Sequence, residues 1–322
     1  MEKMKILITG GCGFIGSHVV DFYIELGHDV AIVDNLSTGK IENKNPKARF
    51  YHVDITDDAL KDVFEAENPD VVNHHAAQIS VPYSVENPLF DAKVNIEGTI
   101  RLLELSRKYR IKKFIFASTG GAIYGETSVV PTDEDLTPDP RSPYAVSKLA
   151  CERYILFYYY HYGLNFTILR YSNVYGPRQI PHGEAGVVAI FIEKLLRKER
   201  PVLYHYPEDE DGMVRDYVYV KDVAKANVLA TFSGKNGIYN ISTGTGTKTI
   251  KLYNQILEAL TERGLEISKE LKEPIRAFAR PGDLKVSVLS PKKAKEELSW
   301  HPEHDLPLGL RKTLTWYLDG KD

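Results

Sequence analysis

Short apolar runs alternate with amphipathic segments through the first half of the chain. The apolar runs lie at residues 6–8, 30–33, 71–72, 114–117 and 166–169, and the amphipathic segments at 17–26, 58–65, 94–109 and 144–160. Continuous apolar strands separated by helices are typical of a parallel sheet that is buried on both faces. The pattern predicts an α/β fold with a doubly wound parallel sheet.

The pattern changes after about residue 175. Glycine and proline at 176–178 and 181–183 and the acidic stretch 207–211 are typical of loops, and helices are predicted at 187–197, 222–232, 250–263 and 291–298. We therefore predict one domain over residues 1–175. Residues 176–322 are predicted to form mainly a smaller, mixed α/β domain, with segments near 216–245 returning to the first.

Composition narrows the class of protein. The 322 residues are 43% hydrophobic and 26% charged, which excludes a disordered chain, and the net charge of -3 gives no basic surface for nucleic acid or a membrane. The two cysteines, Cys12 and Cys151, form neither a disulfide framework nor a metal site, and no metal is expected. Without a signal peptide or a spanning segment, the sequence predicts a cytoplasmic protein.

Three glycines follow the first predicted strand and precede a predicted helix. Gly10, Gly13 and Gly16 have the spacing G-x-x-G-x-x-G. Such a turn lets the backbone approach a pyrophosphate, which then binds the N–H groups at the start of the helix. The glycines alone would also fit a tight turn without a ligand. The strand–turn–helix context favours dinucleotide binding and a Rossmann-like sheet.

An acidic residue stands where such a site needs one. Asp34 ends the second predicted strand, about twenty residues beyond the glycines. A carboxylate there accepts hydrogen bonds from the ribose hydroxyls of adenosine and repels a 2′-phosphate, which favours NAD over NADP. The nearby Lys40 does not change that preference.

A tyrosine and a lysine open the predicted helix at 144–160. Tyr144 and Lys148 are four residues apart and therefore share one face of the helix. An ammonium close to a phenol favours the phenolate and lowers the pKa of the tyrosine, which makes it a general base. An exposed tyrosine–lysine pair on a helix is common and usually has no catalytic function. Its place after a dinucleotide turn and a strand ending in Ser118 and Thr119 favours a catalytic pair.

Together these motifs resemble the extended short-chain dehydrogenase/reductase family, the NAD-dependent epimerases and dehydratases, over nearly the whole chain. The second half resembles nucleotide-sugar enzymes, and within them the bacterial and archaeal UDP-glucose 4-epimerases that carry Thr-Gly-Gly. The resemblance rests on the glycine turn, Asp34-Asn35-Leu36, Asp54-Ile55, Ala76-Ala77, Ser118-Thr119, Tyr144 and Lys148, the segments 170–177 and 214–223, and Arg280-Pro281-Gly282-Asp283.

The resemblance implies reversible epimerisation at C4 of a UDP-hexose, with UDP-glucose and UDP-galactose as the pair. Tyr144 would take the O4 proton while a hydride passes from C4 to bound NAD, and Lys148 would orient the nicotinamide ribose. The 4-keto sugar would turn over and receive the hydride on its other face, so NAD stays bound. The further implied cofactor-binding residues are Phe14, Ile15, Ser37, Thr38, Gly39, Gln78, Asn95 and Tyr171.

One departure concerns the hydroxyl partner of the tyrosine. The family's usual serine or threonine position is Gly120 here, which moves the role to Thr119, although Ser118 and a purely structural Thr119 stay open. Related dehydratases and decarboxylating synthases carry carboxylates directly after the threonine. Gly120 and Gly121 cannot transfer a proton, so epimerisation is favoured over dehydration.

The resemblance also assigns the UDP-sugar side. Arg215 and Arg280 would hold the diphosphate, because guanidinium groups suit phosphate oxygens, although an ion pair of Arg215 with Asp216 or the preceding acidic loop is the alternative. The other implied contacts are Asp283 with the uridine ribose, Asn173 with a phosphate or sugar oxygen, Val188 on the uridine side, and Tyr204 stacked on the base.

Substrate breadth and assembly are further expectations. Ser287 stands where a tyrosine closes the sugar pocket of epimerases restricted to plain hexoses, so the N-acetylated pair is a hypothesis. The helices at 94–109 and 144–160 commonly form the family's dimer interface, which implies a homodimer. Another NDP-sugar oxidoreductase, a UDP-glucuronate 4-epimerase and a non-catalytic regulator that senses dinucleotide stay open as alternatives.

Overall fold

A computed structural model of the protein describes residues 2–181, 186–280 and 282–320, so Pro281 of the Arg280–Asp283 motif lies outside the described residues. The strands are β1 (Lys5–Thr9), β2 (Asp29–Asp34), β3 (Arg49–His52), β4 (Val71–His74), β5 (Lys113–Thr119), β6 (Phe166–Tyr171), β7 (Asn173–Tyr175), β8 (Val202–His205), β9 (Val214–Tyr219), β10 (Gly237–Ile241), β11 (Gly246–Lys248), β12 (Ile275–Phe278) and β13 (Val286–Ser287).

Twelve α-helices are found among the described residues. They are α1 (Phe14–Glu25), α2 (Leu60–Glu67), α3 (Val81–Glu86), α4 (Pro88–Ala92), α5 (Gly98–Lys108), α6 (Gly120–Ile123), α7 (Pro143–Tyr162), α8 (Val187–Leu196), α9 (Val220–Phe232), α10 (Thr249–Glu262), α11 (Lys292–Leu298) and α12 (Leu306–Asp319). A π-helical segment, Lys93–Glu97, joins α4 to α5. No helix in the described part of the chain is long and apolar enough to cross a bilayer.

Seven parallel strands form the central sheet in the order β10-β6-β5-β4-β1-β2-β3. The chain order reverses between β1 and β4, and ligands of such sheets bind at the carboxyl ends of the strands beside that reversal. The predicted Rossmann-like α/β fold is confirmed.

Both faces of the sheet are buried, as its apolar strands require. Ile6 and Ile8 of β1 pack on the face covered by α1 and α9, whereas Leu7 packs on the face of α2, α5 and α7. Neighbouring residues of a strand point to opposite faces, so β1 contributes to both cores. This burial fixes the carboxyl end of β1, where the glycine turn begins.

The second half builds a smaller unit around another apolar cluster. Strands β7, β9, β11 and β13 form a four-stranded sheet, β8 pairs with β12, and helices α8, α10 and α12 surround Phe191, Tyr253 and Leu310. From β9 the chain enters α9, which packs on α1, and then β10 at the edge of the central sheet. The division into two domains stays a prediction.

The predicted helices lie within a few residues of the observed ones, with one interruption. The segment predicted as one helix over 94–109 is split into the π-helix Lys93–Glu97 and α5. Pattern reading missed α3 and α4, which are short and carry prolines, and α12, whose first turns hold Pro307 and Gly309. It also missed β3, a partly exposed edge strand, and β10.

Candidate active site

A cavity of about 1140 Å³ lies at the carboxyl ends of the central strands, between the sheet and the second half of the chain. The glycine turn lines one end, Arg215, Arg280 and Asp283 line the other, and Tyr144 lies between them. The structure thus brings most predicted site residues to one cavity. Four of them are not among its lining residues: Leu36, Gln78, Asn95 and Ser287.

The glycines are required by close backbone contacts at the start of α1. Gly10 has φ +68°, and a Cβ there would lie 2.7 Å from Ala76 N. A Cβ at Gly16 would lie 2.2 Å from Gly10 O, and one at Gly13 would lie 3.2 Å from the same oxygen. Gly13 is the N-cap of α1, whose first turn offers backbone N–H groups without helical partners. The glycines therefore leave the N–H groups of this turn accessible to an anion.

Asp34 is held rigidly at the end of β2. Its Oδ2 accepts a hydrogen bond from Cys12 N at 2.9 Å, and its Oδ1 accepts one from Leu36 N at 2.8 Å. Leu36 therefore positions Asp34 through its backbone. The residues that continue this wall of the cavity are Asn35, Ser37, Thr38 and Gly39.

Asp54 closes the same end of the cavity. It accepts hydrogen bonds from Asn35 Nδ2 at 2.6 Å and from Thr56 N at 2.8 Å. Burial acts to raise the pKa of Asp54, but these hydrogen bonds lower it below its usual value. The next residue, Ile55, is buried and also lines the cavity.

Gln78 and Asn95 support the wall without lining it. Gln78 N donates to Asn95 Oδ1 at 2.9 Å, and Asn95 Nδ2 donates to Gln78 O at 3.0 Å. This exchange fixes the segment after β4, in which Ala76 and Ala77 line the cavity. The Asn95 side chain therefore holds the backbone of Gln78 in place, and the predicted contact of these two residues with the cofactor stays a prediction.

Tyr144 and Lys148 project from the first turns of α7. Ser142 caps this helix by accepting a hydrogen bond from Ala145 N at 3.3 Å, and Pro143 occupies its first position. The Thr119 side chain lies close enough to Tyr144 to lower the pKa of its phenol. The hydroxyl of Ser118 instead donates to Glu152 Oε1 at 2.6 Å, inside the protein.

The electrostatics of this pair differ from the expectation. Burial raises the pKa of Tyr144, although the Thr119 side chain opposes the shift. Burial lowers the pKa of Lys148 to about 8. Lys148 Nζ donates to Ala117 O at 2.9 Å and is not among the groups that shift Tyr144, so the predicted lowering of the tyrosine pKa is not found in the protein alone.

The two glycines after Thr119 have different surroundings. A Cβ at Gly120 would lie 2.2 Å from Leu289 Cδ1, so this position is required by packing. A Cβ at Gly121 would have Asn173 Oδ1 as its nearest neighbour, at 3.8 Å. A side chain at Gly121 would therefore contact Asn173, and the glycine keeps this part of the cavity wall free of a side chain.

The opposite end of the cavity carries an arginine, a tyrosine and an aspartate in contact. The Arg280 guanidinium lies 4.9 Å from the centre of the Tyr204 ring, and its Nε is 3.2 Å from Asp283 Oδ2. Val188 of α8 is buried and lines the same end.

Arg215 of β9 does not pair with the neighbouring aspartate. Asp216 accepts hydrogen bonds from the Thr243 and Gly244 N–H groups, both at 2.9 Å, on the other side of the strand. Within the described residues Arg215 has no ion pair, and its Nη1 donates to Val214 O at 2.9 Å. Ser287 lies in register with Arg215 on β13 and, contrary to the expectation, does not border the cavity.

Several buried polar atoms that line the cavity have no hydrogen-bond partner in the described structure. Three of them are Asn173 Oδ1, Tyr217 OH and Ser172 Oγ. Buried polar groups are almost always hydrogen-bonded, so unpaired ones at a cavity indicate a ligand. Tyr217 was missed from the sequence. It stands two positions after Arg215 on β9 and in register with Asn173 of β7, which places it on the same face.

The ring of Tyr171 lines the cavity, while its hydroxyl accepts a hydrogen bond from Asn227 Nδ2 at 2.8 Å. In the part of the chain that is described, no group of three or more His, Cys, Asp or Glu side chains could hold a metal ion.

Comparison with known proteins identifies the family. Residues 6–242 match the model of the NAD dependent epimerase/dehydratase family. The chain belongs to this family.

Solved structures of epimerases resemble the chain throughout its length. A UDP-glucose 4-epimerase with UDP-glucose from Thermotoga maritima is 49% identical, with a TM-score of 0.92 over 98% of this chain and 99% of that one. The enzyme of Thermus thermophilus, in complex with NAD, is 47% identical, with a TM-score of 0.89 over 97% and 98%. A UDP-N-acetylglucosamine 4-epimerase from Methanobrevibacter ruminantium, in complex with UDP-N-acetylmuramic acid, is 35% identical, with a TM-score of 0.90 over the whole of both chains.

Proposed function

We propose that this chain is an NAD-dependent UDP-hexose 4-epimerase, which interconverts UDP-glucose and UDP-galactose through a 4-keto sugar. The observation that carries the proposal is the position of Thr119, Tyr144 and Lys148 in the cavity, between the glycine turn and the Arg215–Arg280 end. The likeness to epimerase structures over nearly the full chain supports the same activity.

The glycine turn and Asp34 fit NAD. The first-turn N–H groups of α1, reached past Gly10 and Gly13, would hold the pyrophosphate, and the fixed Asp34 carboxylate would accept the ribose hydroxyls. Bound NAD would supply the acceptor for the hydride that leaves C4 of the sugar. Lys148 would orient the nicotinamide ribose.

Tyr144 is the proposed acid–base group. Its phenolate would take the proton from the sugar O4 during oxidation, and the resulting phenol would return that proton during reduction, with Thr119 fixing the orientation of the side chain. Because burial raises the pKa of Tyr144 in the protein alone, the phenol holds its proton until the site is loaded.

The UDP group is assigned to the far end of the cavity. Arg215 and Arg280 would bind the diphosphate oxygens, since Arg215 has no carboxylate partner among the described residues and Arg280 has only a partly exposed one. Tyr204 would stack on the uracil and Asp283 would bind the uridine ribose. The unpaired Asn173 Oδ1 would accept a hydrogen bond from a sugar hydroxyl.

Epimerisation is favoured over dehydration by the residues after Thr119. Dehydration needs a proton donor beside C5 and C6 of the sugar, and Gly120 and Gly121 offer none. The likeness to the UDP-N-acetylglucosamine 4-epimerase supports turnover of N-acetylated sugars, as does the absence of a side chain at Gly121 in the cavity lining. Side-by-side assays of UDP-galactose and UDP-N-acetylgalactosamine test this breadth, and no conversion of the acetylated sugar would refute it.

We also propose a homodimer formed through α5 and α7. Large apolar side chains are exposed on α7 and on the neighbouring α4, and a monomer would leave them in water: Val146, Tyr154, Phe157, Tyr160 and Leu89. Light scattering of the native chain and of Phe157→Glu tests the interface. A native mass near 36.4 kDa would contradict it.

The decisive experiment is incubation of the purified chain with UDP-galactose without added NAD. Formation of UDP-glucose, with no net NADH and no deoxy-keto product, is expected because the cofactor is retained. Tyr144→Phe should bind NAD and lose turnover. If added NAD does not restore conversion of UDP-galactose, the substrate is wrong, and UDP-glucuronate and dTDP-glucose are the alternatives to assay.

A further inference from the structure

One buried carboxylate next to the catalytic helix has no part in the proposed reaction. Asp91 lies on α4 and is fully buried. Its Oδ1 accepts hydrogen bonds from Gln78 Nε2 at 2.7 Å and Asn95 Nδ2 at 3.0 Å, and its Oδ2 accepts one from Ser147 Oγ at 2.6 Å. All three donors are neutral, and Asp91 forms no ion pair within the described residues. A buried carboxylate without a cation is costly, which calls for an explanation.

The three donors belong to three different parts of the site. Gln78 lies in the segment after β4 that forms one wall of the cavity, and Asn95 lies in the π-helical segment. Ser147 is the neighbour of Lys148 on α7. Through Asp91 the cavity wall is therefore connected directly to the helix that carries Tyr144 and Lys148.

The surroundings of Lys148 are mostly uncharged. Its Nζ contacts the Ala117 carbonyl at 2.9 Å and lies 4.8 Å from the centre of the Phe116 ring. The titratable groups that face it are His74 and His75 at the end of β4, Tyr144, Cys151 and Glu152 on α7, and Asp91 on α4.

Burial keeps four of these six groups neutral near pH 7. It lowers the pKa of His74 well below its usual value and that of His75 to about 3. It raises the pKa of Cys151 to about 11 and raises that of Tyr144 as well. Only the two carboxylates can then carry negative charge near Lys148.

One of those carboxylates is already compensated. Glu152 forms a buried salt bridge with Arg170, through Nη2 at 2.6 Å and Nε at 3.0 Å. Asp91 has only its neutral donors. Its charge is the one that is free to act on the ammonium of Lys148.

We propose that Asp91 is a positioning residue, whose uncompensated charge keeps Lys148 protonated inside the protein and whose hydrogen bonds hold the cavity wall against α7. The charge acts in the same direction on both members of the pair: it favours the Lys148 ammonium and disfavours the Tyr144 phenolate. Replacing it by a neutral group should therefore lower both pKa values.

A lysine-selective NMR titration tests the charge directly and needs no substrate. In the native chain the Lys148 signal, identified by its loss in Lys148→Met, should titrate with a pKa of about 8. In Asp91→Asn, which is nearly isosteric and can still bond all three partners, that pKa should fall by about one unit. An unchanged pKa would overturn the proposal.

The matched control separates charge from packing. Ser147→Ala removes one hydrogen bond to Asp91 but keeps the carboxylate, so it should lower the melting temperature and leave the Lys148 pKa in place. Asp91→Ser also lacks the charge but has a smaller side chain, and it should reproduce the shift of Asp91→Asn. A shift of equal size in Ser147→Ala, or failure of both neutral variants to fold, would show that Asp91 is only structural.

The turnover measurement rests on the proposed epimerase function. Both limbs of the pH–rate profile in Asp91→Asn should move to lower pH, because Tyr144 and Lys148 each lose a proton more readily. A purely structural defect would lower the rate at every pH without moving the limbs. If the native chain does not convert UDP-galactose, the proposed function fails, whereas the NMR titration still decides the role of Asp91.

Discussion

The two ends of the cavity are built in different ways. At the cofactor end, Gly10, Gly16 and Asp34 lie within 25 consecutive residues and are fixed by backbone contacts, such as the bond from Cys12 N to Asp34. At the nucleotide end, the Arg280 side chain is 57% exposed and its carboxylate partner, Asp283, belongs to the same loop.

This difference indicates two modes of binding. The cofactor end is organised before any ligand arrives, which suits a cofactor retained through many turnovers. An exposed ion pair contributes little to stability, so the Arg280–Asp283 pair can reorganise at small cost when a diphosphate binds. We expect substitutions at the first end to damage the fold and cofactor retention, and those at the second end to affect mainly the KM for the sugar nucleotide.

The largest effect is expected for Gly16→Ala. The new Cβ would lie 2.2 Å from Gly10 O, a backbone atom that cannot move freely. We expect a loss of about 1–3 kcal/mol in the free energy of unfolding and loss of bound NAD. Thermal melting and the NAD content of the purified chain measure both.

Gly27→Ala is the control for Gly16→Ala. Gly27 has φ +83° but nothing within 4 Å of its Cβ position, so the substitution carries backbone strain without a clash. It should cost about 1 kcal/mol and leave bound NAD unchanged. Normal NAD content in Gly16→Ala would show that the glycine turn can move to accept a Cβ at Gly16, and would contradict a rigid cofactor end.

The next effect is expected at the nucleotide end, for Arg280→Ala. Loss of charged hydrogen bonds to a diphosphate should raise the KM for UDP-galactose about 10- to 100-fold. Melting temperature and NAD content should stay near native values. Arg276→Ala, at an exposed arginine of β12 that does not line the cavity, is the matched control. An equal rise in KM in the two variants would show that Arg280 does not bind the diphosphate.

A smaller effect is expected for Asp34→Asn at the cofactor end. The amide can accept only one of the two backbone N–H bonds and no longer repels a 2′-phosphate, so NAD should bind more weakly and the preference for NAD over NADP should fall by about tenfold. Binding titrations with both dinucleotides measure the ratio. Asp29→Asn, at the opposite end of the same strand, should leave it unchanged.

The smallest effect is expected for Tyr217→Phe. Its hydroxyl has no partner in the described structure, so the fold should lose no stability, while the KM for the sugar nucleotide should rise about 2- to 10-fold. Tyr253→Phe is the control. The Tyr253 hydroxyl donates to Leu271 O at 2.6 Å, and Tyr253 does not line the cavity. It should lose about 1 kcal/mol of stability without a change in KM. A stability loss in Tyr217→Phe would mean that its hydroxyl serves the fold.

Local sequence patterns were sufficient to predict those features that depend on residues close together in the chain. The alternation of strands and helices predicted the parallel sheet, and the spacing of Gly10, Gly13 and Gly16 predicted the turn, because hydrophobic periodicity and glycine spacing can be read from neighbouring residues. The four-residue spacing of Tyr144 and Lys148 likewise placed them on one face of α7.

Those patterns did not predict the contacts between segments that are far apart in the chain. The Asn95 side chain bonds to the backbone of Gln78, and Ser287 lies beside Arg215 and does not line the cavity. Tyr217 carried a signal, its two-residue spacing from Arg215, but only the pairing of β7 with β9 brings it beside Asn173.

The sequence by itself determined the fold class, the family resemblance and the residue types of the chemistry, because hydrophobic periodicity, turn glycines and helical spacing are local properties. Only the tertiary structure decided that the Ser118 hydroxyl is bonded to Glu152, and that burial sets the pKa values of Tyr144 and Lys148. It alone revealed that Asp91 is buried among neutral hydrogen-bond donors. Side-chain direction and desolvation depend on segments far apart in the chain, and no local pattern records them.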